Sequence, residues 1–252
     1  PAYVNTWTKY VVNGSVTSDS HVVPTITTNS SGNIWFTTTV TRSAGTNKWW
    51  SLMSNPAIWC DGKLPVYTPV FSDNFNRANA ANLDGLAGWA VVGSLGRNAI
   101  VSNRASGGFD KPTATFSNDH YAQMEFIAAP SSGTYPGLMV RMSNSGNTVS
   151  GYWLGADSTT DMKLQRFSGS ATNLLIGLTS HSAGETIRMA IKGDLIQIWR
   201  ESTDTTHPLY VSGYKLYATM RDATHATGKP AMNNSGAAQY VEDWVSGDVT
   251  VV

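Results

Sequence analysis

Cysteine and charge are both scarce in this chain of 252 residues. Cys60 is the only cysteine, so no intramolecular disulfide and no cysteine-based zinc site can form, and stability has to come from packing and assembly. Only 13% of the residues are charged, and 17 basic residues balance 17 acidic ones. A zero net charge argues against nucleic-acid binding, which needs a clustered basic face.

Long apolar runs are missing as well. No stretch approaches the length needed to span a bilayer, and the start at Pro1 has no basic segment followed by an apolar run. We therefore expect no membrane insertion and no export signal. Pro1 is the kind of small residue left when an initiator Met is removed, which fits a natural start or a trimmed chain. The polar surface has to be built from Ser, Thr, Asn and Gly.

Residues 1–69 are predicted to form a small β-rich module. It contains only six charged residues, and its β-prone runs are Tyr3–Val12, His21–Thr27 and Asn33–Thr41. It holds five of the nine tryptophans: Trp7, Trp35, Trp49, Trp50 and Trp59. These either fill a compact core or anchor the module to a partner, since Trp is enriched at the centres of interfaces.

A domain boundary is predicted near residue 69. Pro65 and Pro69 bracket the short extended segment LPVYTPV, and each proline fixes φ and removes a backbone donor. The segment therefore reads as a connector between the module at 1–69 and a second domain at 70–252.

Residues 70–252 show strand after strand with turn chemistry between them, which predicts an all-β antiparallel sandwich. Only Arg77–Leu83 is compatible with a brief helical turn. The predicted strands are Asn98–Ala105, Thr113–Phe116, Tyr121–Ala128, Gly137–Ser143, Val149–Ala156, Met162–Phe167, Asn173–Leu178, Glu185–Lys192, Asp194–Arg200, Leu209–Tyr214 and Ala237–Trp244.

The clearest alternation lies in ETIRMAIKGDLIQIWR, residues 185–200. Ile187, Met189 and Ile191 share one face of the first strand. After a tight turn at Gly193-Asp194, Gln197 and Trp199 lie on the opposite face from the isoleucines of the second strand. This pattern predicts a hairpin with one apolar face and one solvated polar face.

Several short motifs resemble the concanavalin A-like lectin/glucanase jelly roll in its laminin-G-like form, over residues 71–245. They are the opening Phe71-x-Asp73-x-Phe75 with Trp89 downstream, the segment Gly137–Arg141, the Gly193-Asp194 hairpin and the closing Val241–Trp244. Domains of this kind occur in phage virion proteins, often beginning with a D-x-F-N-R segment like Asp73–Arg77. The resemblance implies a closed jelly roll in which the first and last strands are neighbours.

The sequence lacks the carboxylate and serine motifs of hydrolytic enzymes. The glucanase branch places carboxylates in an E-x-D-x-E strand, but the four glutamates here (Glu125, Glu185, Glu201 and Glu242) have no such spacing. Glu242 and Asp243 are adjacent, so they are expected on opposite faces of a strand. No G-x-S-x-G motif is present, and the five scattered histidines are expected in solvated loops.

No metal or other cofactor is predicted. Jelly rolls of this kind sometimes hold a structural Ca²⁺ where the first and last strands meet, and Asp73 and Asp243 could converge there. Capping or turn hydrogen bonds account for both carboxylates more simply.

Sugar binding needs aromatic faces to stack on and amides for the hydroxyls. The best candidate is Trp199 beside Gln197, joined by Trp153 and Tyr135. A role as a core or inter-subunit residue explains each aromatic residue of this set more simply.

Taken together, the sequence predicts a non-enzymatic virion surface protein, assembled in a host cytoplasm. Its leading form is a capsid decoration (cement) protein, a homotrimer that attaches to the major capsid protein or another virion protein. Its outward lectin-like domain would meet host-surface or environmental glycans. A tail or fibre adhesin, a secreted carbohydrate-binding module and a glycan-degrading enzyme are the alternatives.

Overall fold

The computed structural model describes residues 25–28, 34–37, 65–84, 86, 88–129, 135–156, 161–205, 210–211, 213–235 and 240–251. The chain divides into two compact units, one of residues 1–54 with 60–62 and the other of residues 55–59 with 63–252. Trp7, Trp49, Trp50, Trp59 and Cys60 lie outside the described residues. The predicted attachment role of the tryptophans therefore stays a prediction.

Every regular element in the described residues is a β-strand. The strands are β1 (Thr25–Thr28), β2 (Ile34–Thr37), β3 (Pro65–Asp73), β4 (Trp89–Val91), β5 (Ala99–Val101), β6 (Arg104–Ser106), β7 (Gly108–Pro112), β8 (His120–Phe126), β9 (Tyr135–Ser145), β10 (Thr148–Ala156), β11 (Asp161–Ser168), β12 (Ala171–Thr179), β13 (Glu185–Lys192), β14 (Leu195–Glu201), β15 (Tyr210–Val211), β16 (Tyr214–Arg221), β17 (Lys229–Ser235) and β18 (Tyr240–Val251).

In the first unit, β1 and β2 form an antiparallel pair in which Thr25 lies opposite Thr37. Both strands lie within predicted β-prone runs, His21–Thr27 and Asn33–Thr41, apart from Thr28. Trp35 belongs to β2, but its side chain is not among those described. Along the described segments, no helix is long and apolar enough to cross a membrane.

The second unit is an antiparallel sandwich, which confirms the predicted fold class. One sheet has seven strands in the order β12-β11-β10-β9-β17-β7-β4. The other has nine, in the order β15-β16-β14-β13-β8-β18-β6-β5, with β3 paired to β18 beside β6. We call them the seven-stranded and the nine-stranded sheet.

The first and last strands are neighbours, as the resemblance implied. β18 pairs with β3 from Trp244 opposite Asp73 to Val251 opposite Pro65. Because β3 begins at Pro65, the segment predicted as a connector is already hydrogen-bonded into the nine-stranded sheet. The extended conformation was predicted correctly, and this sheet starts four residues before the boundary predicted at residue 69.

The main core lies between the sheets and follows the predicted alternation. Met124, Ile187 and Met189 of the nine-stranded sheet are fully buried in the same cluster as Leu138 and Tyr152 of the seven-stranded sheet. Burying side chains of this size stabilises each by about 1.5–3 kcal/mol relative to exposure. The inward faces of β13 and β14 are the predicted ones.

Some predicted elements are wrong. Asn98–Ala105 is not one strand but the hairpin β5–β6, because Ser102 and Asn103 both adopt positive φ (52° and 66°), as a tight two-residue turn requires. Thr113–Phe116 is irregular, and Arg77–Leu83 forms no helical turn but contains a bridge from Ala80 to Ile100. Strands β7, β16 and β17 were missed.

Candidate functional site

A groove of about 620 Å³ lies on the outer face of the seven-stranded sheet. Alternation places its floor there, because Leu138 and Val140 of β9 face the core and leave Met139 on the outer side. The residues that characterise the groove are Phe109, Met139, Asn147, Val149, Phe167 and Asn233. The floor is thus apolar and aromatic, and amides and hydroxyls stand at the rim.

One wall of the groove is formed by the loop after β4. The backbone N and the Oγ of Ser94 both donate to Asn147 Oδ1, at 2.7 and 2.8 Å, which ties the loop to the β9–β10 turn. Phe109 N donates to Gly96 O at 2.8 Å and ties the same loop to β7. Two strand connections are therefore held in place around the apolar floor.

A lysine extends this face beyond Phe109. Lys111 Nζ donates to Asn144 Oδ1 at 2.9 Å. Partial burial lowers the pKa of Lys111, and the charge of Lys229 lowers it further. The face therefore carries a positively charged end beside an uncharged groove.

The groove residues Phe109 and Phe167 were not among the predicted site residues. Alternation could have found Phe167, because Met162 and Leu164 of β11 face the core and leave the odd-numbered positions outside. Phe109 follows directly on the Gly107-Gly108 turn and lacks such a pattern. The predicted set rested on the alternation in β14 and on large aromatic residues beside turns, and neither criterion selects Phe109 or Phe167.

Trp153 does lie on the outer face of the seven-stranded sheet, but it is 97% buried. Its indole lies flat across Gly137 and Gly155, which are register partners, and a Cβ on either glycine would collide with it. Trp153 therefore packs beneath the groove with Met139 and Phe109 rather than offering a ring face for stacking. Tyr135 begins β9, and its side chain lies outside the described part of the chain.

Trp199 and Gln197 lie on the predicted face of β14, but that face is not solvated. Both side chains are fully buried, and Trp199 packs edge-on against Tyr67 with ring centroids 6.4 Å apart. The prediction of a polar solvated face is wrong here because Tyr67 of β3 covers it. Without an exposed ring, Trp199 cannot stack on a sugar in this conformation.

The cover over this face is organised around Arg188. Its guanidinium lies 4.2 Å from the ring centre of Tyr67 and 4.0 Å from that of Tyr214. Its Nε and Nη2 both donate to Gln123 Oε1, at 3.0 and 2.7 Å. Burial raises the pKa of the Tyr67 hydroxyl far above its usual range, although the charge of Arg188 opposes the shift. This arrangement is a packed stacking cluster.

Carboxylates do meet on the nine-stranded sheet, contrary to the sequence analysis. Glu125 of β8 lies directly opposite Glu242 of β18. Asp243 has φ +46° and the register shifts there, so Glu242 and Asp243 both lie between the inward Val241 and Trp244. Burial raises the pKa of Glu125, and the charges of Asp243 and Glu242 raise it further.

Arg104 partly neutralises the negative charge of this carboxylate group. Glu242 Oε1 accepts from Arg104 Nε at 2.7 Å. The expected opposite-face placement of Glu242 and Asp243 is therefore wrong, because a bulge interrupts the two-residue period at Asp243. In sequence alone, a bulge of this kind is invisible.

Asp73 and Asp243 do not form a Ca²⁺ site where the first and last strands meet. Asp73 Oδ2 accepts from Trp89 Nε1 at 2.7 Å, and Oδ1 accepts from Phe75 N at 2.8 Å and from the Arg77 guanidinium. Both oxygens are thus used in holding the loop between β3 and β4. Among the described residues, no three or more His, Cys, Asp or Glu side chains form a group that could hold a metal.

Two histidines expected in solvated loops are buried. His120 is fully buried and His181 nearly so, with the latter stacked on Phe126 at a ring separation of 3.9 Å. Burial lowers the pKa of each to about 4. His225 is half-buried, and His21 and His207 lie outside the described residues.

No protein-family model matches the chain, and no curated protein sequence matches it. Solved structures do resemble it. The carbohydrate-binding module CBM66 from Bacillus subtilis is 20% identical over 65% of this chain and 94% of that chain, with a TM-score of 0.42. The exoplasmic/lumenal domain of VIP36 in its Ca²⁺/Man-bound form is 11% identical over 75% and 91%, with a TM-score of 0.48.

A third similar structure is the CBM2 module of the evolved Dit of Lactobacillus casei BL23 phage J-1. It is 12% identical over 73% of this chain and 95% of that chain, with a TM-score of 0.42. Lectin and carbohydrate-binding domains are the class of fold that the sequence resemblance named. At these identities and TM-scores the similarities concern the fold and say nothing about what this chain binds.

Proposed function

We propose that this chain is a non-enzymatic glycan-binding protein and that its binding site is the groove on the seven-stranded sheet. The observation that carries the proposal is the lining of that groove. Half-buried Phe167 is the aromatic ring left partly open in the groove, Phe109 and Met139 are buried below it, and Asn147 and Asn233 line the groove as well. Sugars bind to such surfaces through their C–H faces, with amides reading the hydroxyls.

The groove favours binding over catalysis. Among the described residues that line it, none is ionisable, so the groove itself supplies no general acid, base or carboxylate nucleophile. The nearest charge named above, Lys111, is engaged with Asn144. A glycan in the groove would be held and not cleaved.

A glycan array probed with the full chain tests this function. We expect Phe167→Ala to weaken binding about tenfold, because a stacked aromatic contributes roughly 1–1.5 kcal/mol beyond its area. Ile176→Ala is the matched control, since Ile176 is a large exposed apolar residue on the adjacent strand β12, outside the groove. Equal affinities for the Phe167→Ala variant and the unchanged chain would contradict the assignment of the groove.

The biological setting we propose is the surface of a phage virion, with a capsid decoration protein as the leading form and a tail or fibre adhesin as the second. Support comes from the sequence: the low charge, the Ser/Thr/Asn-rich surface and the segment Asp73–Arg77 of the kind seen in virion proteins. In this setting residues 1–69 attach to the major capsid protein or another virion protein. A homotrimer fits a capsid threefold axis.

Mass spectrometry of purified particles tests the setting. We expect the chain at a fixed stoichiometry to the major capsid protein and its release as a trimer on mild dissociation. Absence from particles, together with secretion by a cell, would favour the alternative of a secreted carbohydrate-binding module.

One observation keeps a glycan-degrading enzyme as a second candidate: Glu125 faces Glu242 across β8 and β18. Residues opposite each other in a sheet have Cβ atoms roughly 4.5–5.5 Å apart, so the two side chains can reach one substrate, and retaining glycosidases use two nearby carboxyl groups. Release of reducing sugar that is lost in both Glu125→Gln and Glu242→Gln would establish this candidate. Release that persists in either variant, or no release at all, would exclude it.

A further inference from the structure

Three oxygen-bearing side chains meet where β7 passes the loop that precedes β5. Asn98 donates to Asp110 Oδ2 through both its backbone N, at 2.7 Å, and its side-chain Nδ2, at 2.8 Å. Leu83 N donates to Asn98 O, which brings the neighbouring Asp84 to the same place. These contacts join three separate segments of the chain at one polar site.

The site is buried and its oxygens are not all used. Asp110 and Asn98 are fully buried. Asp110 Oδ1, Asn98 Oδ1 and Asp84 Oδ1 each lack a hydrogen-bond partner within the described structure. Asp110 and Asn98 are hydrogen-bonded to each other through Asp110 Oδ2, and Asp84 lies close enough for its charge to act on Asp110. Leaving a buried oxygen unpaired destabilises the folded protein, so three of them favour a bound ligand.

The local charge is negative. Arg97 reaches only Asp84 Oδ2, at 3.3 Å, and its own side chain is about half exposed. Burial raises the pKa of Asp110, and the carboxylate of Asp84 raises it further. Two carboxylates with one partly solvated counter-ion leave a net attraction for a cation.

We propose that Asp84, Asn98 and Asp110 form a Ca²⁺-binding site. All three supply oxygen, and Ca²⁺ is bound by carboxylates, amide carbonyls, backbone carbonyls and water in flexible geometry. The two carboxylates match the charge of the ion. Mg²⁺ demands near-ideal octahedral geometry and gives up water reluctantly, so a dry site of mixed side chains on loops and a strand suits Ca²⁺ better.

The site would also fix the groove described above. Asn98 follows Gly96 and Arg97 in the loop that forms the groove wall, and Phe109, the floor residue, directly precedes Asp110. The proposal does not depend on glycan binding, since it concerns the stability of the loop and strand themselves.

The test is thermal unfolding of the full chain in EDTA and in Ca²⁺, together with calorimetric titration of CaCl₂ into the EDTA-treated protein. Ca²⁺ at about a hundred times its Kd should raise the Tm by roughly 5–10 °C. Asp110→Asn should abolish this rise. In EDTA the Tm of this variant should equal or exceed that of the unchanged chain, because the substitution removes a buried negative charge. Asp243→Asn, an exposed carboxylate on the other sheet, is the matched control and should respond like the unchanged chain.

Asp84→Asn provides a second variant, because its partly exposed side chain makes folding less sensitive to the change. It should weaken Ca²⁺ binding at least tenfold. No heat of binding and no Tm rise in the unchanged chain would overturn the proposal, as would a full Ca²⁺ response in both Asp110→Asn and Asp84→Asn. An equal Tm rise with Mg²⁺ would overturn the assignment to Ca²⁺.

Discussion

Acid should destabilise this protein by protonating His120, whose surroundings stabilise only the neutral imidazole ring. Nδ1 lies 2.8 Å from Ser117 O, so this nitrogen carries the proton and donates. Nε2 therefore accepts from the backbone N of Arg141, also at 2.8 Å. A second proton on Nε2 would point at that N–H and would place a buried charge near the Arg141 guanidinium. The acidic Asp248 and Asp119 offset this only in part.

The size of the effect follows from the shift in the pKa of His120. Burial, the largest cause, lowers the pKa from 6.5 to about 4. At 1.36 kcal/mol per unit, the difference between folded and unfolded protein corresponds to about 3 kcal/mol. The unfolded chain takes up the proton first. The stability is therefore fully present above pH 6.5 and is lost as the pH falls from 6.5 to about 4.

Urea unfolding between pH 7 and pH 4 measures this loss, with His120→Gln as the matched variant. Gln places an acceptor where Nε2 accepts from Arg141 but does not titrate. The free energy of unfolding of the unchanged chain should fall by about 3 kcal/mol more than that of His120→Gln over this range. His181, with its pKa also lowered to about 4, contributes equally to both proteins and cancels. Parallel pH profiles for the two proteins would refute a buried neutral His120.

Two further predictions concern packing. Gly155→Ala should destabilise the chain by about 1–3 kcal/mol in urea unfolding, because its Cβ collides with the Trp153 indole; an unchanged midpoint would mean that the indole does not lie across the strand. Asp73→Ala should lower the free energy of unfolding by about 1–3 kcal/mol, because it leaves Trp89 Nε1 buried without an acceptor. Asn74→Ala, at the exposed neighbouring position, should lower it by less than about 0.5 kcal/mol. Equal effects of the two substitutions would contradict the role given to Asp73.

The inward faces of the sandwich could be predicted from the sequence because one physical rule controls them. In β13 and β8 every second residue is apolar, and burying that face excludes any other register. The same rule predicted the pairing of β13 with β14 through Gly193-Asp194. Among the strands that were missed, β17 (KPAMNNS) does not alternate, so the rule could not find it. β16 (YKLYATMR) does alternate and was missed all the same.

Departures from the two-residue period explain most of the errors. At Ser102 and Asn103 positive φ turned one predicted strand into a hairpin, and at Asp243 a bulge put two acidic residues on one side of β18. Both conformations are stabilised by neighbouring strands, which offset the cost of the distorted backbone. A single segment of sequence does not contain that information.

The outer faces show why residue type misled the choice of site. A tryptophan on the strand face opposite the apolar face suggests an exposed ring that could stack on a sugar. Burying a ring of about 150–250 Å² is strongly favourable, however, whenever another side chain can pack against it. Tyr67 reaches Trp199 from β3, and the glycine pair lets Trp153 lie flat against its own sheet. Phe167, a smaller ring at the groove, remains half-buried. On a sandwich with this many aromatic residues, the rings that contact a ligand are therefore those that the fold fails to cover, and finding them requires the positions of strands distant in sequence.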